Sequence, residues 1–188
     1  MLLDALSSNK MQGPESMVAK EPQFFPVGLK KLAIMHVATF GLYQLHWFYE
    51  NWWLVKGRTN ARFNPARRAF GSPFYAFALF REIDRVAEAH RIPRSFSARG
   101  SAFIFLLGVL AAFLLAESLW PLALLLLYIP VHAAQDVANQ INSLLSPEAP
   151  KNEGLSFGNK VAVVVGGVLF ILAVRNSVRW FAERVGGV

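Results

Sequence analysis

Long uncharged runs separated by short polar punctuation dominate the second half of the chain. SAFIFLLGVLAAFLLA, residues 101–116, lies between Arg99 and Glu117, and WPLALLLLYIPV, residues 120–131, follows after only Glu117, Ser118 and Leu119. The two predict a tight helical hairpin, with Pro121 at a first helical position where its missing N–H is no loss. A third run, VAVVVGGVLFILAV at 161–174, is bounded by Lys160 and Arg175. Each run is shorter than the ~20 residues that cross a ~30 Å hydrocarbon core. Snorkelling of Lys160 and Arg175 and local bilayer thinning make up the difference. The expected fold is an all-α membrane protein with three or four short transmembrane helices plus re-entrant and interfacial amphipathic helices. Its transmembrane helices are placed at 101–118, 120–145 and 158–182.

The pattern changes after Pro130, which removes a backbone donor and predicts a kink. HAAQDVANQINSLL, residues 132–145, keeps helical spacing but becomes amphipathic. His132, Asp136, Asn139 and Ser143 share one side, while Val137, Ile141 and Leu144 or Leu145 share the other. Upstream, Phe74 to Phe80 is apolar on all sides and Arg81 to Arg91 is amphipathic, with Ile83, Val86 and Ala87 on one face. Opposite charges three residues apart (Arg81–Asp84, Glu82–Arg85, Arg85–Glu88, Glu88–Arg91) favour an exposed helix. This stretch predicts an interfacial helix rooted by its phenylalanines.

The segment LAIMHVATFGLYQLHWFYENWW, within 29–54, is long enough to cross the bilayer once, or to enter and return. Charge distinguishes the two. Of the nineteen Lys and Arg, four lie before residue 32, ten within 56–100, two within 146–160 and three from Arg175 onward. A single crossing divides them twelve against seven, whereas a dip divides them sixteen against three. The dip fits the tendency of short cytoplasmic loops to carry the positive charge. Trp47, Tyr49, Trp52 and Trp53 suit an interface, and Thr39 with Gly41 suits a turn, although a re-entrant backbone needs protein around it. The N-terminus and the basic loop 56–100 are therefore expected in the cytoplasm, with Val188 outside.

Small residues recur at four-residue spacing as Gly108, Ala112, Ala116 and as Gly158, Ala162, Gly166. Such stripes let helix backbones approach closely in lipid, and they predict packing of the 101–116 helix on the 158–174 helix.

Composition agrees with the pattern. The chain is 54% hydrophobic and 16% charged, against about a quarter charged in soluble domains. With no cysteine among 188 residues, disulfides, thiolate metal sites and cysteine nucleophiles are excluded. The net charge of +7 is assigned to cytoplasmic loops rather than to nucleic-acid binding. MLLDALSSNK lacks the basic start of a signal peptide. Residues 1–26 read as a mobile or surface-lying tail, and 27–188 as a single helical membrane domain.

The run T-F-G-L-Y, then W-F-Y, a basic loop and Q-x-x-x-N-Q-I-N resembles a group of small uncharacterised bacterial multi-pass membrane proteins. Thr39, Gly41, Leu42, Tyr43 and Trp47 carry the first element, and Gln135, Asn139, Ile141 and Asn142 the later one. The resemblance implies a bacterial inner-membrane home and brings no activity with it.

Candidate chemistry is sparse. On a continuous helix His36, Phe40, Tyr43, Trp47 and Glu50 form one stripe, and His46 with Glu50 is spaced to pair. Ionisable groups at membrane depth are costly and point to function by default, which makes His36, His46, Glu50, His132, Gln135, Asp136 and Asn139 the polar intramembrane candidates. His132 and Asp136, one turn apart, suit a metal with further ligands from His36 or His46, or a haem between facing histidines. Nothing fixes that geometry, so no cofactor and no metal site is expected. Phosphate-loop, H-E-x-x-H and G-x-S-x-G motifs are absent from the sequence, and no catalytic residue is assigned. The basic loop offers Arg58, Arg62, Arg67 and Arg68 to anionic lipid. The expected role is a structural or accessory subunit contacting lipids and other membrane subunits or itself. An oligomeric channel or transporter lined by His132 to Asn139 is the alternative, and a metal- or haem-binding protein the third.

Overall fold

The computed structural model describes residues 21–114 and 120–185. Those residues form seven helices: α1 Leu29–Ala38, α2 Tyr43–Thr59, α3 Pro65–Phe70, α4 Ser72–Ala89, α5 Ala98–Leu114, α6 Trp120–Leu145 and α7 Phe157–Val185. No strand occurs among them; the nearest approach to one is an isolated bridge between Val27 and Asn152. The predicted tail over residues 1–20 and the hairpin turn at 117–119 fall outside the described residues, as does Ala116.

The break between α1 and α2 has a local cause. Phe40 and Gly41 both adopt positive φ, at 50° and 84°, a conformation that glycine takes without the Cβ penalty. The Thr39 hydroxyl accepts from the Tyr43 amide at 2.9 Å and donates to the Met35 carbonyl at 2.7 Å, satisfying groups that the interrupted helix leaves open.

Contacts along α6 trace the path of the segment before α3. Phe24 meets Asn142, Val27 meets Asn139, His36 meets Leu124, and the Phe40 ring lies 5.7 Å from Trp120. The direction then reverses, because Gln44 meets Leu127 and Trp47 meets Gln135. Segment 24–47 thus runs up α6 and back down it, a helical hairpin with its tip at Phe40–Gly41. The stripe expected from His36 to Glu50 on a continuous helix does not form, because the turn separates its members.

The basic segments gather at the opposite end. Lys31 donates to the side chain of Asn152 and, at 2.7 Å, to the Gly154 carbonyl. Arg58 donates to the Gln23 carbonyl and pairs with Glu82 at 2.8 Å. The N-terminal segment through Lys31 is therefore tied directly to the 56–100 region and to the loop after α6.

Around them lies an aromatic core. Trp47, Phe48, Leu79, Phe80, Ile83, Val131, Val137 and Ile141 are fully buried, with Phe48 and Phe80 edge-on or tilted against Phe105 and each other at 5.2–6.4 Å. Helix α4 turns the face carrying Ile83, Val86 and Ala87 inward as its pattern predicts. Phe70 and Phe74 stay exposed. Of the four expected ion pairs along α4 only Glu82–Arg85 forms; Asp84 and Glu88 turn instead to Arg94.

Toward the hairpin tip the surface becomes apolar. Leu106, Leu107, Leu110, Phe113 and Leu114 of α5, Leu122, Leu125 and Ile129 of α6, and nine large apolar residues of α7 from Val161 to Val178 are exposed. Helices α6 and α7 are long and apolar enough to cross a membrane, and α5 is a shorter apolar helix. Only 6% of the apolar window of α7 is buried, which separates it from the core helix of a soluble protein.

Glycine contacts correct the expected helix pairing. Gly108 presses against the α6 backbone, where a Cβ would fall 2.8 Å from the Leu127 nitrogen, and a Cβ on Gly166 would collide with the Ala38 carbonyl of α1. Helix α5 therefore packs on α6, and α7 packs on α1, rather than α5 on α7. Ala112 is exposed and Gly158 faces open space, while Ala162 is partly buried against the core. Among the described residues, the stripes mark close approach only at Gly108 and Gly166.

Candidate functional site

The most elaborate polar arrangement holds residues 21–28, an extended strap without regular structure of its own. An irregular buried segment must find partners for every backbone donor and acceptor. Helix α6 and the residue after it supply most of them from one stripe, Gln135, Asn139, Asn142 and Ser146, at spacings of 4, 3 and 4. Asn142 acts as the edge of a strand: its Oδ1 accepts from the Phe24 amide at 3.0 Å and its Nδ2 donates to the Phe24 carbonyl at 2.7 Å. Asn51 of α2 accepts from the Phe25 amide at 3.1 Å, and Gln135 donates to the Phe25 carbonyl at 2.9 Å. Asn139 donates to the Val27 carbonyl at 3.0 Å and Ser146 to the Glu21 carbonyl at 2.9 Å. Asn152 bonds the Pro26 carbonyl through its backbone nitrogen at 2.9 Å. The expectation of a mobile tail up to residue 26 is corrected for 21–26: Phe24 and Phe25 are buried, and the strap is bonded along its length.

Gln135 is the hub. Fully buried, it accepts from the Trp47 indole and donates to Phe25 and, at 2.8 Å, to Asn139. The polar face expected from His132 to Asn139 is thus divided. Gln135 and Asn139 turn to the strap, while Asp136 accepts from Gln140 at 3.1 Å and His132 lies 5.3 Å from the Tyr128 ring. No bond joins His132 to Asp136.

A second cluster lies under the hairpin tip. The His36 ring approaches the Leu124 carbonyl through Nε2 at 3.0 Å and the Gln44 amide through Nδ1 at 3.2 Å. A carbonyl only accepts, so Nε2 carries the proton, and Gln44 donates to the bare Nδ1 and to the Leu127 carbonyl at 2.8 Å. His36 is a neutral imidazole with both nitrogens engaged, and neither is free for a metal. Among the described residues no three His, Cys, Asp or Glu side chains come together. His46 and Glu50 approach to 3.6 Å, as their spacing predicts, at a half-exposed site.

The four arginines expected to meet lipid separate into two pairs. Arg58 is half-buried, lies 4.4 Å over the Phe24 ring and is paired with Glu82. Arg68 sits among rings, 3.7 Å from the centroid of Phe63, 4.4 Å from Trp52 and 5.4 Å from Tyr75. Both make contacts within the fold in addition to the lipid role expected of them; an arginine plane stacks on aromatic faces readily. Arg62 and Arg67 are exposed. Arg62 opens onto a groove of about 910 Å³ that also includes Tyr49, Trp53, Lys56, Asn60 and Asn64.

The polar residues that the sequence pattern does not single out are Gln44, Asn51, Ser146 and Asn152, with Lys31 and Lys56. The stripe Gln135, Asn139, Asn142, Ser146 is visible in the sequence but reads equally as a wet helix face. Comparison of the chain with protein-family models, curated proteins and solved structures finds no match.

Proposed function

We propose that the chain is a three-span protein of the bacterial inner membrane with a re-entrant aromatic hairpin, acting as a structural or accessory subunit. The observation that carries this reading is the division of the molecule. One end joins the three basic segments through Lys31, Arg58 and their partners, and the other is an exposed apolar surface on α5, α6 and α7. The apolar part belongs in lipid, and the hairpin enters and leaves from the basic side. Backbone groups at its turn are satisfied by Thr39 and by neighbouring turns, as burial away from water requires. Tight saturation of Gln135, Asn139 and His36 supports a fixed scaffold over a polar conduit. Its contacts are then membrane lipids and neighbouring subunits or a second copy, consistent with the resemblance to small bacterial membrane proteins.

The absence of native cysteine makes single-cysteine labelling direct. Glu21→Cys, Leu42→Cys, Arg91→Cys and Arg179→Cys are treated with a membrane-impermeant maleimide in vesicles of either orientation. Glu21→Cys and Arg91→Cys react from the cytoplasmic face, Arg179→Cys from the other, and Leu42→Cys only after detergent. Labelling of Glu21→Cys and Arg91→Cys from opposite faces overturns the hairpin, and labelling of Arg91→Cys and Arg179→Cys from one face overturns three spans.

A further inference from the structure

The groove beside Arg62 has a composition that the scaffold reading does not need. Tyr49, Trp53 and Lys56 follow one another at spacings of 4 and 3 along α2, and so share a face. The loop Asn60–Asn64 closes the opposite wall, with Asn60 in the left-handed conformation that turns the chain sharply after α2 (φ 52°). Among the described residues, Lys56 and Arg62 are its only charged lining groups, so no carboxylate on its walls opposes an anion. Neither cation is committed to an ion pair there, unlike Arg58, Arg85 and Arg94. Asn60 and Asn64 contribute neutral polar groups, and the Asn64 carboxamide oxygen also caps α3 by accepting from the Arg67 amide at 3.2 Å.

Aromatic residues form the other half of the groove. Tyr49 and Trp53 stack with ring centroids 6.2 Å apart, and Trp53 is 56% exposed. A half-exposed tryptophan beside unpaired cations is the pattern of a membrane–water interface, where the ring sits at headgroup level and the cation meets phosphate. A soluble phosphate has no use for the exposed indole; a glycerophospholipid uses both walls.

We infer that this groove is a binding site for an anionic glycerophospholipid, with the headgroup phosphate on Lys56 and Arg62 and the glycerol region against Tyr49 and Trp53. The inference rests on membrane placement of the chain and names a ligand class for its basic end. Its volume of about 910 Å³ is ample for a headgroup together with the glycerol region. The site differs from a diffuse basic surface because it depends on two particular charges, not on the total.

The test uses the full chain in nanodiscs, after the cysteine labelling above has established insertion, so that a failure of placement is read there and a failure of this site here. Retention of phosphatidylglycerol is measured by native mass spectrometry after release into detergent, against phosphatidylcholine as the zwitterionic control. The protein retains phosphatidylglycerol preferentially. The pair Lys56→Gln/Arg62→Gln weakens it by about tenfold to thirtyfold, the scale of two charges near an anionic surface. Arg81→Gln/Arg91→Gln removes the same charge from two exposed positions, one on α4 and one just past its end, and leaves retention within about twofold. Trp53→Ala reduces it without altering the preference for an anionic headgroup. Equal losses in the two double variants, or equal retention of the two lipids, overturn the site. Displacement by millimolar inorganic phosphate at constant ionic strength reassigns it to a soluble anion and overturns the lipid.

Discussion

The Trp47 indole nitrogen donates to the Gln135 side-chain oxygen across 88 positions of sequence, and both residues are fully buried. This bond fastens the returning leg of the hairpin to α6. Through the other end of the same amide it also fastens the strap, because Gln135 donates to the Phe25 carbonyl and to Asn139. One side chain therefore joins three segments that the chain reaches at very different times.

Replacing it leaves the others stranded. Gln135→Leu deprives the Trp47 N–H and the Phe25 carbonyl of partners at a fully buried site, which costs about 2–4 kcal/mol for the orphaned groups. Trp47→Phe removes the donor with its bond and costs less on the polar side, since Gln135 keeps two partners. Thermal unfolding in detergent ranks Gln135→Leu below Trp47→Phe. The double variant falls short of the sum by about 1 kcal/mol, the signature of a shared contact. Additive losses show that the bond does not couple them.

Neighbouring glycines on α7 give a sharper contrast. A methyl on Gly166 collides with the Ala38 carbonyl, whereas Gly167 has nothing within 4 Å. Gly166→Leu forces α7 off α1 and lowers stability by about 2 kcal/mol or more, while Gly167→Leu stays within about 0.5 kcal/mol. Unfolding midpoints and yield of folded protein measure the difference, and equal behaviour of the two contradicts the α1–α7 contact.

These two cases show what the sequence makes legible. Apolar runs announce α5, α6 and α7 because hydrophobicity is local, and Thr39 and Gly41 announce the hairpin turn because backbone conformation is local too. Gly108 and Gly166 announce close approach but not the partner, since any backbone fits against a glycine. Gln135, Asn139 and Asn142 announce polarity, yet their partners are main-chain groups of Phe24, Phe25 and Val27 more than 100 positions away. Main-chain groups carry no residue-specific pattern, so the strap and its clamp are invisible until the chain is folded. The contacts of Arg58 and Arg68 are hidden for the same reason: a basic loop looks solvated until its rings and carboxylates are placed beside it.

Acid stability depends on Glu82. Burial works to raise its carboxyl, but hydrogen bonds from Arg85 and Arg58, with their charges, outweigh that effect and hold it below its ordinary value of 4.5. A carboxyl depressed in the folded state stabilises the fold above its unfolded pKa and loses that contribution as pH falls through the folded pKa. The native protein therefore loses stability below about pH 4.5 more steeply than Glu82→Gln. At neutral pH Glu82→Gln is already weakened, because Arg58 stays half-buried without its carboxylate. Melting midpoints of both proteins from about pH 7 down to about pH 3 check the slope, and parallel curves remove Glu82 from the account.

Arg68 and Arg62 carry the same charge six positions apart and behave oppositely. Arg68 lies over Phe63, Trp52 and Tyr75, where a guanidinium gains stacking as well as charge attraction, at about 0.5–2 kcal/mol for the ring contacts. Lysine keeps the charge but cannot lie flat on a ring, so Arg68→Lys loses a large part of that stabilisation and Arg68→Ala loses more through the lost side-chain packing. Arg62 is exposed and supports no fold contact, so Arg62→Gln leaves the melting midpoint unchanged. Opening the cage also loosens the enclosed Trp52 ring, so Arg68→Ala shifts tryptophan emission while Arg62→Gln does not. Equal melting of Arg68→Lys and the native protein reduces the cage to a point charge near rings, since only the planar group distinguishes the two side chains.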